Sequence, residues 1–235
     1  MFKDVIGIVG GMGSYATLSF FERLLDAFPG EKEWDRPRIL IDNRCTMPSR
    51  VRAILYQEKF DQLVDEMTDS IKNLLAAGAT KIVLACNTSH HFLPMIYEKL
   101  PEAKGIICSI IDATVEKISN IDGCDSITLL ASEGTIDVGI FDHKLQEEGV
   151  GVYTPTGQQY GIQREIIESV KQRKITEKEI RMLADLINDS KTSVVIIGCT
   201  EFPVVYSKIN KECLGNKIVI DPLQCIIDKL VQEMH

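Results

Sequence analysis

Two segments of this chain finish alike. Val83-Leu84-Ala85-Cys86-Asn87-Thr88 and Ile196-Ile197-Gly198-Cys199-Thr200 each run from aliphatic residues through a cysteine into side chains that hydrogen-bond. A thiol with a pKa of about 8.5 can act as either acid or base once its surroundings are tuned. Two thiols facing one cleft from opposite sides could remove a proton from one face of a carbon and return one to the other face. Ligands of open α/β sheets bind beyond the carboxyl ends of the strands. There a following helix presents free N–H groups, a setting expected to lower both thiols towards neutrality. A cysteine in an apolar strand is more often a small buried hydrophobe. That description suits Cys108, Cys124, Cys213 and Cys225, whereas the repeated context sets Cys86 and Cys199 apart.

The elements that must hold these thiols are legible as short apolar runs separated by amphipathic stretches. Strands are expected at Val5–Val9, Arg38–Asp42, Lys81–Ala85, Gly105–Ile110, Ser126–Ala131, Gly151–Tyr153, Ser193–Ile197 and Lys217–Ile220. They are rich in Ile and Val without strict alternation, as strands buried on both faces of a parallel sheet should be. Phe60, Leu63, Val64, Met67, Ile71, Leu74 and Leu75 share one face of a helix. Thr176 and Glu179 form a capping box ahead of Ile180, Leu183, Ala184 and Ile187. Strand–helix alternation of this kind means α/β architecture. A second, looser echo links Ile6-Gly7-Ile8-Val9-Gly10-Gly11-Met12-Gly13 with Ile127-Thr128-Leu129-Leu130-Ala131-Ser132-Glu133-Gly134. Both echoes recur at about half the chain length, so two similar lobes face each other, each contributing one thiol. No Pro/Gly/Ser-rich linker separates them.

Cys86-Asn87-Thr88 and Gly198-Cys199-Thr200-Glu201 resemble the two signature segments of the aspartate/glutamate racemase family. The opening Ile6–Gly13 segment resembles that of its aspartate racemase branch, as do Pro48-Ser49-Arg50, Thr154-Pro155-Thr156 and Ile220-Asp221-Pro222. Glutamate racemases of the cell-wall type typically carry an Asp-Ser-Gly opening and a His after the second Cys-Thr. Here Gly-Gly-Met-Gly and Glu201 stand instead. The resemblance spans essentially the whole chain. It implies two pseudo-symmetric α/β lobes, each a short mainly parallel sheet flanked by helices, with the active site in the cleft between them. The first lobe is expected to comprise residues 1–100 and 211–235, and the second residues 101–210. The implied activity is cofactor-independent racemisation of an acidic amino acid, L-aspartate to D-aspartate or glutamate, commonly by a homodimer. Cys86 and Cys199 match the two acid/base thiols, Cys199 acting on the L-enantiomer and Cys86 on the D-enantiomer.

An acidic amino acid needs local cations. Arg50 matches the family arginine that grips a substrate carboxylate, where a planar fork binds bidentately. Lys171 matches a lysine reaching the site from the second lobe. Asn87, Thr88 and Thr200 would hold the α-carboxylate or the ammonium, although Thr88 and Thr200 could equally cap helices. Glu201 would orient a thiol proton or the ammonium. Met12, in the glycine loop, and Ser49 complete the expected substrate set. Arg44, Cys45 and Ser49 depart from the usual family residues, which bears on side-chain specificity.

Other readings compete. Gly11-Met12-Gly13-Ser14-Tyr15-Ala16 fits the G-x-G-x-x-A dinucleotide fingerprint, with Asp42 at the end of the second strand. An NAD-dependent oxidoreductase leaves the cysteine echoes unexplained. Maleate isomerases and decarboxylases of the same fold would use one thiol differently, and a non-catalytic amino-acid-binding module would need neither. His90 and His91 point about 100° apart on a helix, which argues against a metal site.

Composition sets the outer bounds. The 235 residues suit one α/β domain or two small lobes. Acidic residues outnumber basic ones 34 to 26, for a net charge of −8, which argues against nucleic acid. No apolar run reaches the ~18–20 residues of a membrane span, and the opening has no signal-peptide pattern. A cytoplasmic protein is expected, its seven cysteines reduced.

Overall fold

A computed structural model describes residues 2–234; Met1 and His235 lie outside the described residues. In chain order the first part comprises β1 (Val5–Gly10), α1 (Ser14–Ala27), β2 (Arg38–Asn43), α2 (Arg50–Tyr56), α3 (Phe60–Ala76), β3 (Lys81–Leu84), α4 (Leu93–Lys99) and α5 (Ile110–Ser119). The second comprises β4 (Ser126–Leu130), α6 (Glu133–Asp137), α7 (Asp142–Glu147), β5 (Gly151–Tyr153), α8 (Gln158–Lys171), α9 (Glu177–Asn188), β6 (Val194–Ile197), α10 (Phe202–Tyr206), β7 (Ile218–Ile220) and α11 (Pro222–Met234).

The strands form two parallel sheets, β2-β1-β3 and β5-β4-β6-β7. In each, the strand that precedes the small-residue loop is central and the strand that precedes a cysteine lies beside it. Val5 pairs with Arg38 and Ile6 with Lys81 in the first sheet. Ser126 pairs with Gly151 and Ile127 with Val194 in the second. Both echoes in the sequence therefore fall on equivalent strands of a mixed α/β fold with two parallel sheets flanked by helices.

The aliphatic runs serve two layers at once. Ile6, Ile8 and Val83 join Ile127, Leu129 and Ile196 in one cluster that continues from the first sheet into the second. Val9, Ile82 and Leu84 turn the other way, onto Leu63, Met67 and Ile71 of α3. Leu130, Val195 and Ile197 likewise turn to Ile166 of α8 and Leu183 of α9. Each fully buried aliphatic side chain contributes about 1.5–3 kcal/mol. The shared cluster explains the missing linker: the lobes are halves of one core.

The apolar face expected on α3 is buried through Leu63, Val64, Met67, Ile71 and Leu74. Thr176 and Glu179 close the expected capping box at the start of α9. Two expectations fail. Gly105–Ile110 is no strand: a single bridge joins Ile107 to Ile82, and Ser109 caps α5 by accepting the Asp112 N–H at 3.1 Å. The run is β-rich in composition, but a helix start claims its last residues. The segment 211–235 does not belong wholly to the first lobe either. β7 pairs with the outer edge of β6, Ile218 opposite Val194, and so completes the second sheet, while α11 packs on α5 and α1. Among the described residues no helix is long and apolar enough to cross a membrane.

Candidate active site

Each cysteine is delivered by the same backbone device. The residue before it donates its N–H to the end of the central strand: Ala85 to the Val9 carbonyl at 3.0 Å, and Gly198 to the Leu130 carbonyl at 2.6 Å. Gly198 has no room for a side chain there, because a Cβ would lie 2.7 Å from Leu129 Cδ1. Across the cleft, Asn87 Nδ2 donates to the Gly198 carbonyl at 2.9 Å, tying the two cysteine segments together. That bond fixes the amide orientation and leaves Asn87 Oδ1 buried without a partner.

A cavity of about 420 Å³ opens between the lobes, with both cysteines on its wall. Met12, Ser49, Arg50, Asn87, Thr88, Lys171, Thr200 and Glu201 all border it as well. The structure thus brings together every residue that the sequence reading put at the site. Arg44 and Cys45 do not border it. Arg44 pairs with Asp69 at 2.7 Å and Asp42 at 3.4 Å, and Cys45 hydrogen-bonds Ser14 at 3.0 Å on the surface.

The two thiols sit in different surroundings. Cys199 Sγ donates to Glu201 Oε2 at 3.0 Å. Burial, the Glu201 charge and that hydrogen bond push the Cys199 thiol well above its ordinary value. The expected lowering towards neutrality is therefore reversed here. A carboxylate stands at the thiol, and α10, only five residues long, begins three positions later. Cys86 precedes a short 3-10 helix, Asn87–Phe92, not an α-helix. Its carbonyl is held by buried His90, whose Nδ1 lies 3.1 Å away, while His90 Nε2 accepts the Ile110 N–H at 3.2 Å. Burial depresses the imidazole to about 4, against the opposing pull of the Cys86 and Asn87 carbonyls. Neutral His90 thus spends one ring nitrogen as donor and the other as acceptor, and it positions the Cys86 loop. Neither nitrogen is free for a metal, and among the described residues no group of three or more His, Cys, Asp or Glu side chains could hold one.

The glycine loop is shaped by packing. Gly11 has φ +84°, and a Cβ there would fall 2.4 Å from the Arg44 backbone. At Gly13 a Cβ would come within 3.0 Å of Glu201 Oε1 from the other lobe. A carboxylate at that point opposes a pyrophosphate, which needs donors and positive potential. Arg50 reaches into this loop, donating from Nη2 to the Met12 carbonyl and from Nη1 to the Pro48 carbonyl, and its Nε is left buried and unpartnered. Among the described residues Arg50 has no carboxylate within ion-pair distance. Lys171 differs: its ammonium bonds Glu168 at 2.8 Å. Burial works to lower its pKa, but Glu168 and Glu201 outweigh that and the net shift is upward. Ser49 caps α2 by accepting the Arg52 N–H at 3.3 Å.

Sequence reasoning missed the hydroxyls of the second lobe. Thr135 and Ser132 surround Thr88, with Thr88 Oγ1 2.7 Å from Thr135 Oγ1 and 3.4 Å from Ser132 Oγ. The loose Gly10–Gly13 to Ala131–Gly134 echo carried that signal, since it places Ser132 at the lobe-two counterpart of the glycine loop. Tyr160, Gln163 and Arg164 of α8 were also missed; Lys171 lies two helical turns beyond Gln163 on the same face.

Both thiols, a guanidinium with no carboxylate partner and an acceptor with no hydrogen-bond partner among the described residues thus border one cavity of about 420 Å³. The sequence pattern of the Asp/Glu/Hydantoin racemase family matches residues 9–230, and the chain belongs to that family. It is similar to the broad specificity amino-acid racemase RacX of Bacillus subtilis (strain 168), 23% identical, with 97% of this chain and 96% of that protein aligned. A solved aspartate racemase from Picrophilus torridus superposes with a TM-score of 0.81 at 25% identity, covering 98% of this chain and 94% of that one. A glutamate racemase from Francisella tularensis, solved in complex with D-glutamate, superposes with a TM-score of 0.68 at 18% identity over 98% and 80% of the chains.

Proposed function

We propose that this protein racemises an acidic amino acid without a cofactor, aspartate in the first place and glutamate in the second, using Cys86 and Cys199 as its two bases. The observation that carries the proposal is the placement of both cysteines, on equivalent strand ends of the two lobes, against one cavity. The substrate ammonium donates to Asn87 Oδ1, and Arg50 Nε–H donates to a carboxylate, so both orphaned groups find partners. For the L-enantiomer the Cys199 proton moves onto Glu201, and the thiolate then takes the α-proton. The electron pair of the broken C–H bond spreads into the bound α-carboxylate, which preorganised donors stabilise. The Cys86 thiol delivers its proton to the opposite face and is left as thiolate, so D-substrate starts the same steps in reverse.

The test incubates L-aspartate, D-aspartate, L-glutamate and D-glutamate separately with the protein in D2O. Loss of α-hydrogen is followed by NMR and configuration by chiral chromatography. Exchange accompanied by inversion is expected. If none of the four exchanges its α-hydrogen, the proposal fails.

A further inference from the structure

One buried amide on the cavity wall is satisfied by nothing among the described residues. Gln163 is 1% exposed, and neither its Nε2 nor its Oε1 has a hydrogen-bond partner. Natural structures pair nearly all such groups, so a buried orphan amide facing a cavity marks a ligand contact.

Its place along α8 says which part of the ligand it meets. Gln163, Ile167 and Lys171 border the cavity at i, i+4 and i+8, on one face of the helix. Lys171 stands at the thiol end, where its Cγ comes within 3.8 Å of a Cβ position on Gly13, the same position that Glu201 Oε1 approaches. Eight residues at 1.5 Å each put Gln163 about 12 Å further along the axis. The wall therefore grades from the Lys171 ammonium, over aliphatic Ile167, to a neutral amide.

Charge at the far end settles the kind of group. Arg164 lies beside Gln163 in sequence, but Glu133 holds its guanidinium through both carboxylate oxygens at 2.8 Å. Arg52 is taken by Glu58 and Lys171 by Glu168. Arg50 alone among the cavity cations is without a carboxylate partner within the described residues, and one carboxylate satisfies it. A second carboxylate beside Gln163 would receive an N–H but no free cation, and Oε1 would stay unpaired. A carboxamide offers an acceptor to Nε2 and a donor to Oε1 together.

We infer that Gln163 reads the end of the substrate side chain and admits, beside the acidic amino acids proposed above, amino acids with a neutral carboxamide there, glutamine among them. This rests on reading the cavity as the amino-acid site proposed above. Isothermal titration of L-glutamine, L-glutamate and L-aspartate into the wild type, Gln163→Leu and Gln163→Glu tests it. The wild type is expected to bind L-glutamine at least as tightly as L-glutamate. Gln163→Leu should lower the affinity ratio of L-glutamine to L-aspartate ten-fold or more, since a pocket built for hydrogen bonds discriminates strongly once they are lost. Gln163→Glu keeps an acceptor for the carboxamide N–H and repels a carboxylate, so its ratio of L-glutamine to L-glutamate should rise ten-fold. An unchanged glutamine-to-aspartate ratio in Gln163→Leu, or no L-glutamine binding by the wild type, overturns the inference. α-Hydrogen exchange in D2O on the same samples keeps the two claims apart. The binding switch without exchange of any amino acid sinks the racemase and leaves the subsite standing. Aspartate exchange without the switch does the reverse.

Discussion

The cysteine segments of the two lobes share a backbone and differ in what surrounds the thiol. Ala85 and Gly198 make the same hydrogen bond to the end of a central strand, so Cys86 and Cys199 are placed by one device used twice. Beyond that point the lobes diverge. Cys199 is gripped at its sulfur by Glu201 and kept protonated. Cys86 is gripped at its carbonyl by His90, and among the described residues no hydrogen bond to its thiol is present. The fold repeats the position of a thiol; local side chains then give each copy its own surroundings. The proposed racemisation, which runs in both directions, has no need of identical halves, only of two sulfurs on opposite sides of one carbon.

The largest expected effect removes either sulfur. Cys86→Ser and Cys199→Ser should each lower racemisation about a thousand-fold, at the upper part of what one acid/base group supplies. The pair also shows which thiol serves which enantiomer. In Cys86→Ser, L-substrate should still exchange its α-hydrogen with D2O while retaining configuration, and D-substrate should not exchange. The opposite pattern would reverse the assignment, and undiminished racemisation in either variant rules out the two-base mechanism.

Glu201→Gln should break the asymmetry itself. Without the carboxylate charge, the Cys199 thiol titrates at lower pH, which ultraviolet thiolate absorbance reads directly. The proton acceptor is lost at the same time, so the conversion that begins at Cys199 should slow about a hundred-fold at neutral pH. The conversion that begins at Cys86 should suffer less. Equal loss in both directions would mean that Glu201 does not belong to the Cys199 half alone.

The sequence showed both thiols and their strands because the echo is local: a buried strand, a cysteine and a threonine stay recognisable wherever they recur. It also placed Arg50 and Lys171, through the motif around one and the family position of the other. What it could not show depends on contacts between distant segments. That Glu201 turns back onto the cysteine two residues before it, and that His90 reaches Ile110, follow from side-chain directions that no spacing prescribes. The Cys199 thiol was misjudged for this reason: strand-end position suggested a positive helix end, while the actual neighbour is an anion. β7 was misassigned because a strand carries no label for the edge it will join. Gln163 looks like any surface glutamine until α8 is laid along the cavity.

His90 provides a smaller effect with a definite sign. Its folded-state value of about 4 lies below the ordinary 6.5, so the folded protein resists protonation that the unfolded chain accepts. The stability this confers is complete above pH 6.5 and falls as the pH drops to about 4, by roughly 3 kcal/mol. His90→Gln lacks that titration. In urea unfolding the gap between wild type and variant should be widest near neutrality and narrow steadily through that window. A constant gap would show that His90 is not the buried neutral group described.

The smallest expected effect tests whether the hydroxyls across the cleft hold the lobes or the substrate. Thr135 is 1% exposed and does not border the cavity, yet its Oγ1 lies 2.7 Å from Thr88 Oγ1 and 3.0 Å from Ser132 Oγ. Valine keeps its shape and removes the hydrogen bonds, which should cost about 1–2 kcal/mol of stability. Thr88 also borders the cavity, so freeing its hydroxyl changes substrate contact only by a rotation of one side chain. Thr135→Val should therefore raise KM no more than a few-fold and leave kcat close to wild type, because neither sulfur moves. Should kcat fall as far as it does in Glu201→Gln, the cluster would have to set the spacing of the two thiols. The comparison between the lobes would then extend to the hydroxyl side chains that close the cleft.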